Sequence, residues 1–175
     1  YAFHLDAGLY ALYLRNFSEA LGVVRHEGKI EHVELDPNSG DILGVRLARG
    51  ETINGDLFID CSGFKALLSE GALKTGYENW QHWLPCDSAL AVQTEKAGPA
   101  VPYTKATAHG SGWQWQIPLQ NRVGNGLVYS SQFADREWAD MTLRKNLSEP
   151  LRGEPRLIEF VTGRRKLIWN KNCIA

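Results

Sequence analysis

Two short stretches of this 175-residue chain carry residues whose types and spacing could do chemistry. The first is Asp56-Leu-Phe-Ile-Asp-Cys-Ser-Gly-Phe64. Its apolar run, Leu57-Phe-Ile59, ends in Asp60, and the small residues Ser62 and Gly63 then let the backbone come close to a phosphate or ribose. An ordinary strand-to-helix turn would look the same, so both readings stand at this level. The second stretch is Gly112-Trp-Gln-Trp-Gln-Ile-Pro118. Alternation at period two puts Trp113, Trp115 and Ile117 on one face of a strand that Pro118 ends. Indoles sharing a sheet face are either core or a rigid wall beside a ligand.

Other residue types point to less. Cys61, Cys86 and Cys173 are odd in number and have no C-x-x-C spacing, so they read as buried, reduced thiols of a cytoplasmic protein. His4, His26, His32, His82 and His109 are equally scattered, and no metal site is expected. The net charge of −1, with both signs mixed, argues against a nucleic-acid or membrane-surface partner. No apolar run approaches the roughly 20 residues that span a bilayer. A chain that is 43% hydrophobic at this length can bury one good core.

The Trp-x-Trp-x-Ile-Pro stretch resembles the signature of the flavin-dependent halogenases, whose best-known members chlorinate or brominate tryptophan. Residues 56–64 and Pro102-Tyr-Thr-Lys-Ala-Thr-Ala108 resemble further stretches of the same family, and order and spacing agree across essentially the whole chain. The resemblance implies FAD as cofactor, reduced by a separate flavin reductase, with chloride or bromide as co-substrate. It implies a small electron-rich aromatic substrate, such as tryptophan or another indole, and allows a homodimer. It places the backbone of Val23 beside the adenine half of FAD, and Asp60, Ser62 and Gly63 against its pyrophosphate. Trp113, Trp115, Ile117 and Pro118 would lie near the flavin, on the side of the passage to the substrate. There a wall of indole would keep the organic substrate apart from the flavin while a halide takes up the oxidant.

The resemblance also implies what lies elsewhere. The family's lysine comes from a segment before Tyr1, its glutamate and chloride site from segments after Ala175, and its G-x-G-x-x-G turn from upstream. Lys65, Lys105 and Glu159 occupy no matching motif and read as surface residues, so no catalytic residue is assigned within the chain. Both ends read as cuts, and the expectation is an internal piece of such an enzyme, inactive alone. Two other classes stay open: a flavin monooxygenase that hydroxylates an aromatic ring, and a non-catalytic folded remnant.

The elements that must position these residues follow from patterning. Asp6 is placed to cap a helix to about Leu21, with Tyr10, Tyr13, Leu14, Phe17 and Leu21 as an apolar stripe. Gly22 ends it, and Val23-Val24-Arg25 reads as a short buried strand. Val33 and Leu35, a turn at Asp36-Pro-Asn-Ser-Gly40, and Leu43, Val45 and Leu47 read as a hairpin. Leu57-Phe-Ile59 reads as a strand covered on both faces. Residues 71–79 read as a loop. Ala89-Leu-Ala-Val92, residues 105–117 and 126–130 read as strands, with a hairpin turn at Arg122-Val-Gly-Asn-Gly126. A helix from Asp135 to about Leu147 buries Ala139, Leu143 and Leu147. Residues 156–160 and 166–169 return as strands, Arg164-Arg-Lys166 reads as a solvated basic run, and Cys173-Ile-Ala175 opens a strand. The predicted fold class is α/β, mixed with α+β: part of an FAD-binding domain of the flavin monooxygenase type, with a parallel sheet plus hairpin (1–70), followed by an antiparallel sheet with a helix (71–175), the two continuous in the parent.

Overall fold

The computed structural model describes residues 3–96, 98–99 and 101–175. Asp6 caps helix α1 (Ala7–Ala20) by accepting the amides of Gly8 and Leu9 at 3.1 and 3.3 Å. Gly22, at φ 94°, closes it. The N–H of Val23 reaches Ser18 O and that of Gly22 reaches Glu19 O, the paired bonds of a Schellman motif. In chain order there follow β1 (Ile30–Leu35), β2 (Ile42–Leu47), β3 (Thr52–Asn54) and β4 (Phe58–Ile59). A 3₁₀ turn at Gly63–Lys65 and a π-helical turn at Leu67–Ala72 come next, then β5 (Tyr77–Asn79) and β6 (Ser88–Thr94). The chain continues through β7 (Lys105–His109), β8 (Gly112–Pro118), β9 (Val123–Tyr129), helix α2 (Arg136–Lys145) and β10 (Arg156–Glu159). It ends in β11 (Gly163–Arg165), β12 (Trp169–Asn170) and β13 (Cys173–Ile174).

These elements form two compact units. One unit joins the described residues up to Val23 with Trp80–Thr162; the other joins Val24–Asn79 with Gly163–Ala175. The second unit holds an antiparallel sheet β1-β2-β3, a pair β11-β5, and a sheet β12-β13-β4 in which β13 runs parallel to β4. Its core is Ile42, Val45, Leu68 and Cys173, with Ile30, Val33, Ile53, Phe58 and Leu73 packed against it. Asp36 shapes the hairpin turn by accepting the amides of Asn38 and Ser39, both at 2.8 Å.

The first unit is built on an antiparallel sheet in the order β10-β6-β9-β8-β7. Helix α2 covers one face, where Leu90, Val92, Leu127 and Tyr129 meet Ala139 and Leu143. Asp135 caps α2 through the Trp138 amide at 2.8 Å, and Arg144 and Lys145 in its last turn complement the helix dipole. Side chains alternate across a strand, so Trp113, Trp115 and Ile117 take the face opposite α2.

Several expectations are corrected. Val23-Val24-Arg25 forms no strand: Val23 and Val24 are 58% and 73% exposed, and the Val23 N–H bonds Ser18 O to close helix α1. The α1 stripe is exposed along its length, because the helix buries no residue in this chain. Leu57 and Ile59 are exposed; β4 has a covered side at Phe58 only. In the hairpin a register slip between Glu34 and Leu35 turns Ile42 inward and Leu43 outward, breaking the simple alternation. Residues 71–79 include the end of the π-turn and strand β5, with Thr75 buried. Residues 105–117 are two strands folded at residues 110–111, and the turn placed at 122–126 lies at 119–122, leaving Gly124 and Gly126 inside β9. Strand β11 precedes the strand expected at 166–169, and Cys61 is exposed, not buried.

Candidate functional site

The predicted site residues fall into three groups. In the first, Asp60 ends β4 and organises everything after it. Its Oδ1 accepts the Ser62 amide at 3.1 Å and the Ser62 hydroxyl at 2.5 Å. Its Oδ2 accepts the amides of Leu68 and Ser69 at 3.0 and 2.8 Å and the Ser69 hydroxyl at 2.9 Å. The Ser62 hydroxyl in turn accepts the Leu67 amide at 2.7 Å. Burial raises the Asp60 pKa, but the hydrogen bonds from Ser62 and Ser69 outweigh it and hold the carboxyl at about 2. The carboxylate therefore cross-links the turn and satisfies the first amides of the π-turn. Gly63, at φ 68°, stands at the exposed tip with open space around its Cα, followed by Phe64 at 78% exposure. Ala66 then takes a left-handed φ of 43°, a costly conformation for a residue with a Cβ, while buried.

Arg165 braces the far side of this turn. Its guanidinium meets Glu70 Oε2 at 3.1 Å and lies 5.1 Å from the Tyr77 ring centroid. Glu70 Oε2 also accepts the Gly76 amide at 2.9 Å. Of the basic run read as solvated, Arg164 pairs with Glu78 and Arg165 is tied into the fold; only long-range pairing, invisible in sequence, reveals this.

The second group is the aromatic strand. Trp113 and Trp115 share a face with ring centroids 5.9 Å apart and planes inclined by 53°. Trp113 is 43% exposed and Trp115 half-buried. Trp115 pairs across the ladder with Gly126, and its indole lies over that glycine: a Cβ at Gly126 would overlap ring atoms Cζ2 and Cη2. Gly126, expected in a turn, instead lies in β9 beneath the Trp115 ring, and only the register that sets the two opposite each other reveals this. Ile117 and Pro118 complete the strand, half-buried, and pair with Gly124 and Val123. Between the indoles, Gln114 turns to the other face and is buried.

The third group is Val23 alone. Its N–H is committed to Ser18, so its carbonyl and exposed isopropyl group are what it can present to a ligand. Lys65, Lys105 and Glu159 are exposed. Among the described residues, no group of three or more His, Cys, Asp or Glu side chains is placed to hold a metal, and no helix is long and apolar enough to cross a membrane.

The tryptophan halogenase family profile matches residues 1–175. Tryptophan 7-halogenase RebH of Lentzea aerocolonigenes is 41% identical over 184 residues, which cover 100% of this chain and 34% of RebH. Among solved structures, Xcc4156, a flavin-dependent halogenase from Xanthomonas campestris, superposes with a TM-score of 0.94 at 51% identity, covering 97% of this chain and 34% of that one. BrvH, a flavin-dependent halogenase from Brevundimonas sp. BAL3, gives a TM-score of 0.92 at 48% identity, covering 97% and 35%. The chain belongs to the tryptophan halogenase family. It spans about a third of the length of these relatives.

Proposed function

We propose that this chain is the part of a flavin-dependent halogenase that shapes the flavin side of the reaction, in a parent that halogenates an electron-rich aromatic such as an indole. The observation that carries the reading is the Gly112–Pro118 strand, whose indoles stand on one open sheet face with a glycine cleared beneath the second. Reduced FAD, when bound, would supply the electrons and the oxygen chemistry that turn chloride or bromide into an electrophile. A separate flavin reductase would deliver it.

The residues present fit such a cofactor. The Gly63 turn offers bare, unobstructed backbone, as close approach to a pyrophosphate requires. Asp60 fits differently from the simple expectation. With all its donors internal, its carboxylate holds the shape of the turn, and the backbone of Ser62 and Gly63 makes the approach. Val23 would offer its carbonyl to the adenine amino group. Trp113, Trp115, Ile117 and Pro118 would exclude the organic substrate and water from the flavin, so that the halide meets the oxidant first. The free thiols fit a reducing, cytoplasmic setting.

The test is to incubate the full-length parent with a flavin reductase, NADH, FAD, oxygen and bromide, over a panel of indoles, pyrroles and phenols. Halide-dependent formation of a brominated product is the expected result. Hydroxylated products alone would overturn the reading in favour of a monooxygenase.

A further inference from the structure

We infer that His4 is a positioning residue for the aromatic strand. The inference rests on the reading that the Trp face works beside a flavin. In residues 3–6, just ahead of α1, exposure alternates: Phe3 and Leu5 are 85% and 57% exposed, whereas His4 and Asp6 are half-buried. His4 Nδ1 lies 3.0 Å from Pro118 O. A carbonyl only accepts, so Nδ1 carries the proton and donates it there. In the neutral ring Nε2 then accepts the Thr104 hydroxyl at 3.2 Å. Two residues on, Asp6 Oδ2 accepts Arg122 Nε at 3.3 Å and Asn121 Nδ2 at 3.5 Å, while its Oδ1 caps α1.

The grip falls where the aromatic strand is weakest. Pro118 has no N–H, so the last residue of β8 cannot donate to the ladder. His4 anchors that end from the carbonyl side. Thr104 precedes β7 and Pro118 ends β8, both beyond the last pair of the β7–β8 ladder, Lys105 with Gln116, so one imidazole ties the two strands where their pairing has stopped. Asp6 secures the turn that follows, and the same arm runs on through α1 to Val23. Ile117 and Trp115 stand one and three residues before the anchored carbonyl. Release of Pro118 would let this end of the strand shift, carrying Ile117 and tilting the Trp115 ring against Trp113.

The test uses the parent enzyme and three variants. His4→Phe keeps a ring and removes both bonds; His4→Asn keeps a donor near the Nδ1 position; Thr104→Val removes the second partner. Two readouts go beyond stability: brominated product formed per NADH consumed, and the circular-dichroism exciton couplet of the Trp pair, taken as the difference from each protein's Trp113→Phe counterpart. His4→Phe is expected to retain FAD while coupling falls by roughly tenfold, the scale of a sub-ångström misplacement at a reacting centre, and the couplet shrinks. His4→Asn should recover most of both. Should His4→Phe fail to fold, Thr104→Val carries the test with a smaller loss in the same direction. Unchanged coupling and couplet in these variants, with only a lower melting temperature, would overturn the inference. A parent that brominates nothing refutes the proposed function instead, and the couplet still decides the role of His4.

Discussion

Both oxygens of Asp60 are occupied by donors that lie two to nine residues downstream, and the carboxylate does its work as an anion. Replacing it with alanine leaves the amides of Ser62, Leu68 and Ser69 short of an acceptor, which should cost about 2–3 kcal/mol of stability and loosen the Gly63 turn. A pH dependence follows from the lowered pKa. The native group ionises at about 2 against an ordinary 3.8, so its stabilisation is complete above pH 3.8 and disappears as pH falls through about 2. Acid titration should show the stability gap between wild type and Asp60→Asn closing across that window; a gap constant with pH would contradict the role given to the charge. Gly126 makes a second residue-scale case. Gly126→Ala forces the Trp115 indole off the sheet and should destabilise by roughly 1–3 kcal/mol through overpacking. In the parent it should also lower halogenated product per NADH, whereas Gly124→Ala, whose Cβ would meet only ordinary contacts, should leave coupling nearly intact.

At the scale of elements, the helices differ in what holds them. Helix α2 buries Ala139 and Leu143 against the sheet, so Leu143→Ala should cost about 2–5 kcal/mol and Asp135→Ala about 1 kcal/mol, both measurable by chemical denaturation. Helix α1 buries nothing here and depends on its caps and on the grip of Asp6 on Arg122. Local chemistry of this kind was legible in the sequence: the Asp6 cap, the Gly22 stop, the Asp36 turn and the period-two face of Trp113 and Trp115 are short-range properties of the residues concerned. Long-range pairing was not legible. Nothing local places Gly126 opposite Trp115, gives Asp60 its partner at Ser69, seats Arg165 on Glu70, or brings His4 to Pro118 across 114 residues. The glycines of β9 looked like a turn because sequence shows their permissiveness and hides the ring that requires it. Val23 and the α1 stripe looked buried because apolar patterning reports what a residue can pack against, not whether it does so.

At the scale of the whole molecule, the chain divides into two units whose sequence segments interleave, so the C-terminal residues complete the sheet that β4 begins. It has no G-x-G-x-x-G turn, the feature on which pyrophosphate affinity in such folds chiefly depends. The 175-residue chain by itself should therefore bind FAD far more weakly than the parent, as calorimetry would show; equal affinity would place the binding determinants here. The central claim is that the aromatic face belongs to an enzyme that passes oxidant to a halide before it reaches carbon. One mass spectrum tests it most directly. The parent, supplied with reduced FAD, bromide and an indole under heavy-isotope oxygen, should yield product carrying the bromine isotope pair and no heavy oxygen. Product carrying heavy oxygen and no bromine would contradict it.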